Sequence, residues 1–418
     1  MHKTPHKRLI VIGGGAAGFF CAVNAARLCK DLEVIIIEKS NKLLSKVRVS
    51  GGGRCNVTHS CFSISDMIKK YPRGDAFLKK AFHHFFTTDT IQWFKERVGE
   101  LKTEADGRMF PVSNSSETII ECLLREASKY KIQIQLNRVL KNIQPNEHGF
   151  LLECNDQESL QSDFVCVATG GFPKASGYDW LKQTGHSIAL PVPSLFTFNM
   201  PGNAITQLMG ITVDMAVVKI IGTKYVEQGP LLITHWGMSG PAILKLSAWA
   251  ARTLSESEYT FSILVNWLPS YNEQSLKNAF QQIRFEKAAQ KISNKNPFGL
   301  PLRLWQYLLQ QSGVDENIRW ADLPSKEQNK LIKNCCAHEF QVKGKTTFKE
   351  EFVTAGGVQL NEIDHQTMES KLLPGLFFAG EVIDVDGITG GFNFQNAWTT
   401  GFLAAQGIAQ KCTSKVIE

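Results

Sequence analysis

Gly13, Gly15 and Gly18 stand in the spacing G-x-G-x-x-G, and Glu38 follows the last of them by twenty positions. The chemistry this spacing serves is the holding of a dinucleotide. The first glycine permits a tight turn, the second lets the backbone approach a pyrophosphate, and the third lets a helix pack closely on a strand. A helix that starts there offers unpaired N–H groups and the positive end of its dipole to the phosphates. A carboxylate ending the next strand accepts both hydroxyls of a ribose, and in that place it disfavours a 2′-phosphate. The adenosine half is therefore expected to belong to FAD or NAD, not NADP.

Three further segments choose between the two. SGGGRCNVT (Ser50 to Thr58) sets three glycines beside Arg54 and Asn56, a run of open backbone amides next to a cation and an amide side chain. VCVATGG (Val165 to Gly171) ends an apolar stretch in Thr169, Gly170 and Gly171, as where a chain crosses close to a ligand. FFAGEVIDVDGITGGFNFQNAW (Phe377 to Trp398) carries the Gly380-Glu381 turn and a second glycine loop that opens a helix. A simple NAD dehydrogenase does not need a second such loop from the far end of the chain. An extended FAD does, because its ribitol and ring reach beyond the first helix. Non-covalent FAD is expected; reduced nicotinamide (NADH or NADPH) could dock transiently at the ring as reductant, and its role is left open. No second G-x-G-x-x-G follows a strand to house it.

The elements that must position these residues are legible nearby. Arg8 to Ile12 reads as a strand, Ala16 to Cys29 as a helix, and Leu32 to Glu38 as a second buried strand. A helical crossover implies parallel strands in a doubly wound sheet. Helices are expected at 75–86, 89–97 and 116–129. From about Pro191 alternating segments such as Ile211 to Ile220 and Tyr259 to Trp267 predict antiparallel strands, and from about 271 amphipathic helical stretches take over. The expected fold is α/β: a discontinuous Rossmann-like domain over 1–190 and 346–418. It is interrupted by a β-rich insert over 191–270, an antiparallel sheet or small β-barrel-like domain, and a helical subdomain over 271–345.

Composition bounds the function. The 418 residues are 43% hydrophobic and 20% charged with a net charge of +7, ordinary for a soluble enzyme. Lysines come in pairs dispersed among acidic residues, so no nucleic-acid partner is expected and a small-molecule substrate is. Ten cysteines lack zinc-like spacing, and no metal site is expected. Lys3, Lys7 and Arg8 ahead of an apolar run imitate a signal peptide, but the glycine cluster and immediate second strand point to a cytoplasmic chain. No run reaches the roughly 20 apolar residues a membrane span requires. Among candidate acid–base groups, His235 sits in the glycine-rich THWGMSG loop of the insert. Cys55 has no CxxxxC partner and reads as packing. His83-His84 read as a surface pair.

GGGRCNVT, RMFPVSNSS (Arg108 to Ser116), THWGMSGPAIL (Thr234 to Leu244) and TAGGV with GLFFAGEVIDVDGITGGFNFQNAW together resemble the BaiN-like, aminoacetone-oxidase-type family of FAD-dependent oxidoreductases, among the glutathione-reductase-like flavoproteins. The resemblance implies that Gly13, Gly15, Ala17 and Gly18 hold the pyrophosphate and that Glu38 and Lys39 hold the adenosine. It sets Ser50, Gly53, Arg54, Cys55 and Asn56 along the middle of the cofactor and gives adenine to the backbone of Val139. It assigns Gly380 and Glu381 to the phosphate–ribitol region and Gly391, Phe392 and Asn393 to the ring. The activity implied is transfer of a hydride or electron pair between flavin and a small organic substrate, by amine oxidation or enone reduction. A flavin-dependent RNA-modifying protein, which would need a basic stripe on the insert, and a flavin sensor without turnover are the alternatives.

Overall fold

A computed structural model describes residues 7–155, 158–294, 296–347 and 353–413. The chain divides into two compact units, one of residues 1–193 with 349–418 and the other of residues 194–348.

In the first unit, strand β1 (Arg8–Ile12) leads through helix α1 (Ala16–Leu28) to strand β2 (Glu33–Ile37). Both neighbours of β1 run parallel to it: β2 on one side, β4 (Phe164–Val167) on the other. Strand β3 (Gln133–Gln135) extends the sheet beyond β2, and β5 (Leu376–Phe378) extends it beyond β4, giving the order β5-β4-β1-β2-β3. The β4–β5 neighbours therefore come from either side of residues 194–348 in the sequence. Val11 faces α1, since a Cβ placed on Gly18 would lie 3.3 Å from its Cγ1. Ile10 and Ile12 point to the other face and are equally buried, so both sides of the sheet are covered. Part of that cover is an antiparallel meander over 140–162, with Phe150 against Gly375. Helix α2 (Phe392–Thr413) closes the unit and packs along α1.

The helix expected over 75–86 stops at Ala81. Phe82, Phe85 and Phe86 are all buried at i, i+3 and i+4, the spacing of one helix face, which is why the sequence reads as helix here; the backbone instead turns after Ala81 and is extended at Phe86 (φ −128°, ψ −171°), with His83 and His84 exposed. Helix Thr87–Val98 then restarts, with the Asp89 carboxylate accepting from the Phe86 N–H at 2.7 Å.

The second unit is a seven-strand antiparallel sheet and a helical layer on one hydrophobic core. Its two ends are His338–Lys343, paired with Thr260–Asn266, and Lys345–Thr346, paired with Thr197–Asn199. Those ends are consecutive in sequence, joined at Gly344 (φ +89°), so one bent strand closes the sheet into a barrel. The helical stretch is accordingly not a separate subdomain. Its helices Glu273–Glu286, Leu302–Gln311 and Ser325–Cys336 lead directly into the closing strand and share the barrel's core. The THWGMSG loop is a tight hairpin turn followed by helix Pro241–Trp249, with proline at its first position, where the missing N–H costs nothing.

Two buried histidines make stability acid-sensitive. Burial lowers the His338 pKa to about 4, and it lowers that of His186, against nearby Glu362, by an effect of the same sign. His186 is locked in one tautomer: Thr184 Oγ1 donates to Leu181 O (2.6 Å), so its lone pair takes the Nδ1–H (2.8 Å). Nε2 then accepts from Ser370 Oγ at 2.7 Å. Both groups have folded pKa values below the unfolded value near 6.5. Their stabilisation is complete above about pH 6.5 and is lost as pH falls toward 4, for His338 on the order of 3 kcal/mol. Denaturant unfolding of His338→Phe should show a shallower loss of stability between pH 6.5 and 4 than the parent; an unchanged slope would remove His338 from this account.

Candidate functional site

Each glycine of the first motif has its own reason. Gly13 has φ +114°, and a Cβ there would lie 2.4 Å from the Ala168 carbonyl, so only glycine lets β1 end against the chain leaving β4. A Cβ on Gly18 would lie 2.0 Å from Gly13 O, which ties α1 to the turn. Gly15 is different: a Cβ there meets no protein atom within 4 Å. Nothing in the protein demands glycine at this helix start, and the free space lies where a pyrophosphate would meet the first N–H groups of α1.

The Glu38 carboxylate is held at this turn, accepting from Gly14 N (2.9 Å), Ser40 N (2.9 Å) and Ser40 Oγ (2.9 Å). Lys39 is exposed, its ammonium 5.6 Å above the Phe172 ring. Ala17 is buried, its methyl 2.7 Å from where a Cβ on Gly380 would stand. Thr169 Oγ1 donates to Gly170 O at 3.1 Å, and Gly170 (φ +72°) borders open space.

Gly51, Gly52 and Gly53 form a left-handed run (φ +59°, +69° and +83°) after Ser50, whose hydroxyl donates to Val47 O. Arg54 pairs with Glu104 at 2.6 Å and stacks 4.1 Å over Phe110. The Asn56 amide is spent within the protein, donating to Thr58 O (2.9 Å) and accepting from Gly391 N (2.8 Å). Cys55 is fully buried, and burial pushes its thiol up to about 12 against a hydrogen bond with Ser50. Thiolate chemistry at neutral pH is thereby closed to it.

The Val139 N–H donates to Asn155 Oδ1 (3.0 Å) and its carbonyl accepts from Asn155 N (3.0 Å), so its donor is already committed to the meander. Only the second lone pair of the carbonyl is left for a base.

The C-terminal loop is tied down by side chains. Gly380 N donates to Thr400 Oγ1 (2.8 Å), and Glu381 joins Lys46 (2.6 Å) to the Thr354 N–H (2.8 Å). A Cβ on Gly391 (φ +95°) would lie 2.6 Å from Thr58 O. The Phe392 ring is buried and stacks on His59 at 4.8 Å, while its carbonyl accepts from Tyr71 OH at 2.7 Å. Both amide atoms of Asn393 bind Gly387, at 2.8 Å each. The side chains of Phe392 and Asn393 therefore shape the loop, and the outward-facing groups at the start of α2 are backbone N–H donors.

Several residues of this site escaped the sequence reading. Asp386, wholly buried, pairs with Arg73 and fixes the loop ahead of α2. Gln395 accepts from Thr58 Oγ1 (2.6 Å) and donates to Thr90 (3.0 Å) and Thr399 (3.1 Å). Trp398 Nε1 donates to Val57 O at 2.8 Å. Asp386 stood inside the quoted C-terminal segment; Tyr71 and Arg73 left no signal of spacing at all. His235, in the second unit, is exposed at the hairpin turn, edge-on to Trp236 at 4.1 Å. Among the described residues no group of three or more His, Cys, Asp or Glu is arranged for a metal, and no helix is long and apolar enough to cross a membrane.

A parallel sheet with a glycine turn, an acidic residue ending β2 and a second helix start opposite define a dinucleotide-binding flavoprotein. Residues 7–407 match the HI0933-like protein Rossmann domain, and the chain belongs to that family of FAD-dependent oxidoreductases. It is 27% identical over 97% of its length, and 99% of the relative's, to a 3-dehydro-bile acid delta(4,6)-reductase of Clostridium scindens. It is 30% identical over 95% of its length, and 96% of the relative's, to a ribosomal RNA dihydrouridine synthase of Escherichia coli. Its fold is also that of a flavocytochrome c3 fumarate reductase (TM-score 0.52, 16% identity, 98% of this chain and 79% of that one).

Gly15→Val tests the pyrophosphate assignment. With no protein atom within 4 Å of the new Cβ, the variant should fold with a parental unfolding midpoint but purify colourless. Full flavin retention would move the phosphates elsewhere.

Proposed function

We propose that the chain is an FAD-dependent reductase of a carbon–carbon double bond conjugated to a carbonyl. The observation that carries this reading is shared chemistry between two full-length relatives with unlike substrates. One is named for reducing the Δ4 and Δ6 bonds of a 3-oxo bile acid. The other is named for making dihydrouridine, which is uridine with the double bond next to its carbonyl reduced. Enone reduction is accordingly preferred to amine oxidation.

The chemistry a bound flavin would supply, once reduced by its donor, is the electron pair. The chain's own residues supply place and charge. Gly13, Gly15, Gly18 and the start of α1 receive the pyrophosphate; Glu38 and Lys39 receive the ribose; Ser50, Gly53, Gly380 and Glu381 flank the ribitol. The N–H groups opening α2, beside Gly391, Phe392 and Asn393, face the ring. A helix start carries about half a positive charge and favours an anion by up to roughly 2 kcal/mol when partly buried. That supports charge accumulating there on reduction. His235, solvent-exposed on its turn, is the proposed proton donor to the carbon that does not receive the hydride. Reduced nicotinamide is the proposed external donor. The name of the Escherichia coli relative favours a second reading of the substrate, a uracil within RNA.

Anaerobic mixing tests the reading. NADH or NADPH should bleach the flavin, and cyclohexenone or a 3-oxo-4-ene steroid should restore its colour without oxygen. Restoration by oxygen alone, with bleaching by amines, would make the protein an amine oxidase; no bleaching by any donor would leave a flavin sensor. His235→Ala should keep full flavin and slow re-oxidation by the enone, by about 10²-fold or more. Unchanged rates from pH 5 to 9 would leave His235 as a turn residue only.

A further inference from the structure

The second unit has 16 lysines and arginines against 11 acidic residues. Along the chain they look mixed, but the fold sorts them. On helix Ser325–Cys336, Lys326, Lys330 and Lys333 fall at i, i+4 and i+7 and share one solvent face with Asn329. The other face, Gln328, Leu331, Ile332 and Cys335, is buried. None of the three lysines makes an ion pair or side-chain hydrogen bond among the described residues. Glu327, the helix's one acidic residue, is half-buried and does not pair with Lys330. The three ammonium groups stand along about 10 Å of helix axis, an unneutralised row that suits a polyanion's backbone.

The neighbouring helix Glu273–Glu286 adds an aromatic group. Arg284 fastens it to the lysine helix and its approach, donating to Gln328 Oε1 (2.9 Å) and Ala321 O (2.9 Å). The next residue, Phe285, is 89% exposed. A large phenyl left in water on a helix whose other face is packed gains nothing for the fold. On a helix fastened to the one that bears the cationic row, it has the chemistry of a base-stacking platform.

We propose that this two-helix surface grips RNA, with Lys326, Lys330 and Lys333 on phosphates and Phe285 under an unpaired base. This rests on the reading above that the reduced bond is conjugated to a carbonyl, and it gives that bond a substrate class, uracil in RNA. Dispersed among acids along the chain, the lysines give no sign of a nucleic-acid partner; the helical turn is what lines them up.

The test is fluorescence anisotropy of the FAD-loaded full chain with a fluorescein-labelled, uridine-containing RNA hairpin over a series of KCl concentrations. The triple variant Lys326→Gln/Lys330→Gln/Lys333→Gln should bind roughly tenfold or more weakly, and its log–log salt slope should fall by about 2. Phe285→Ala should weaken binding about five- to hundredfold with the slope unchanged. Both should keep parental FAD content and cyclohexenone turnover. Equal affinity and slope for parent and triple variant would overturn the grip. So would a parent that binds phosphatidylserine vesicles but not RNA. A parent that reduces cyclohexenone yet binds no RNA overturns only this inference. A flavin-loaded parent that reduces neither cyclohexenone nor RNA uridine overturns the proposed function itself.

Discussion

The close contact between α1 and α2 is the constraint on which the first unit depends. Gly401 lies so near α1 that a Cβ on it would stand 2.8 Å from Ala17 O and 3.3 Å from Cys21 N. Nine residues separate Phe392 from Gly401, about 14 Å of helix. The start of α2 is therefore set off by that length from the first turn of α1. An extended dinucleotide needs such an offset, with its charged middle at one helix start and its ring at another. Any larger residue at 401 would part the helices and move both starts. The same logic explains why Gly380 must pass over Ala17 without a side chain, and why its N–H is taken by Thr400, one residue before Gly401.

The α2 start is held by polar groups as well as by packing. Asn56, Tyr71, Asn393 and Gln395 bind Gly391, Phe392, Gly387 and Thr58 in turn, and Arg73–Asp386 fixes the loop ahead of them. A buried ion pair adds little net stability but is costly to break on one side. A loop of glycines is otherwise free to move. The side chains around it fix the loop so that its backbone amides stay aimed. Around this loop the side chains shape the chain, and on the function proposed above its backbone amides are what meet the ring.

That division of labour explains how far the sequence could be read. The β1–α1–β2 unit, the interruption near 191 and the glycine loops were legible because each rests on local periodicity or on glycine spacing. The roles of Arg54, Asn56 and Asn393 were not, because their partners Glu104, Gly391 and Gly387 are fixed only by the fold. A barrel-like insert was expected, but not the device that closes it, which turns on Gly344 bending one strand between two sheet edges. Lys326, Lys330 and Lys333 were in view as dispersed charges; only the helix that gathers them gives them a common face.

The central claim is that the starts of α1 and α2 hold FAD by their backbone N–H groups. Amide hydrogen exchange of the apoprotein with and without FAD tests it most directly. The account predicts new protection at residues 14–18, 50–56 and 391–395, and unchanged exchange across helices Glu273–Glu286 and Ser325–Cys336. Protection confined to the second unit, with the first turns of α1 and α2 exchanging as before, would contradict it.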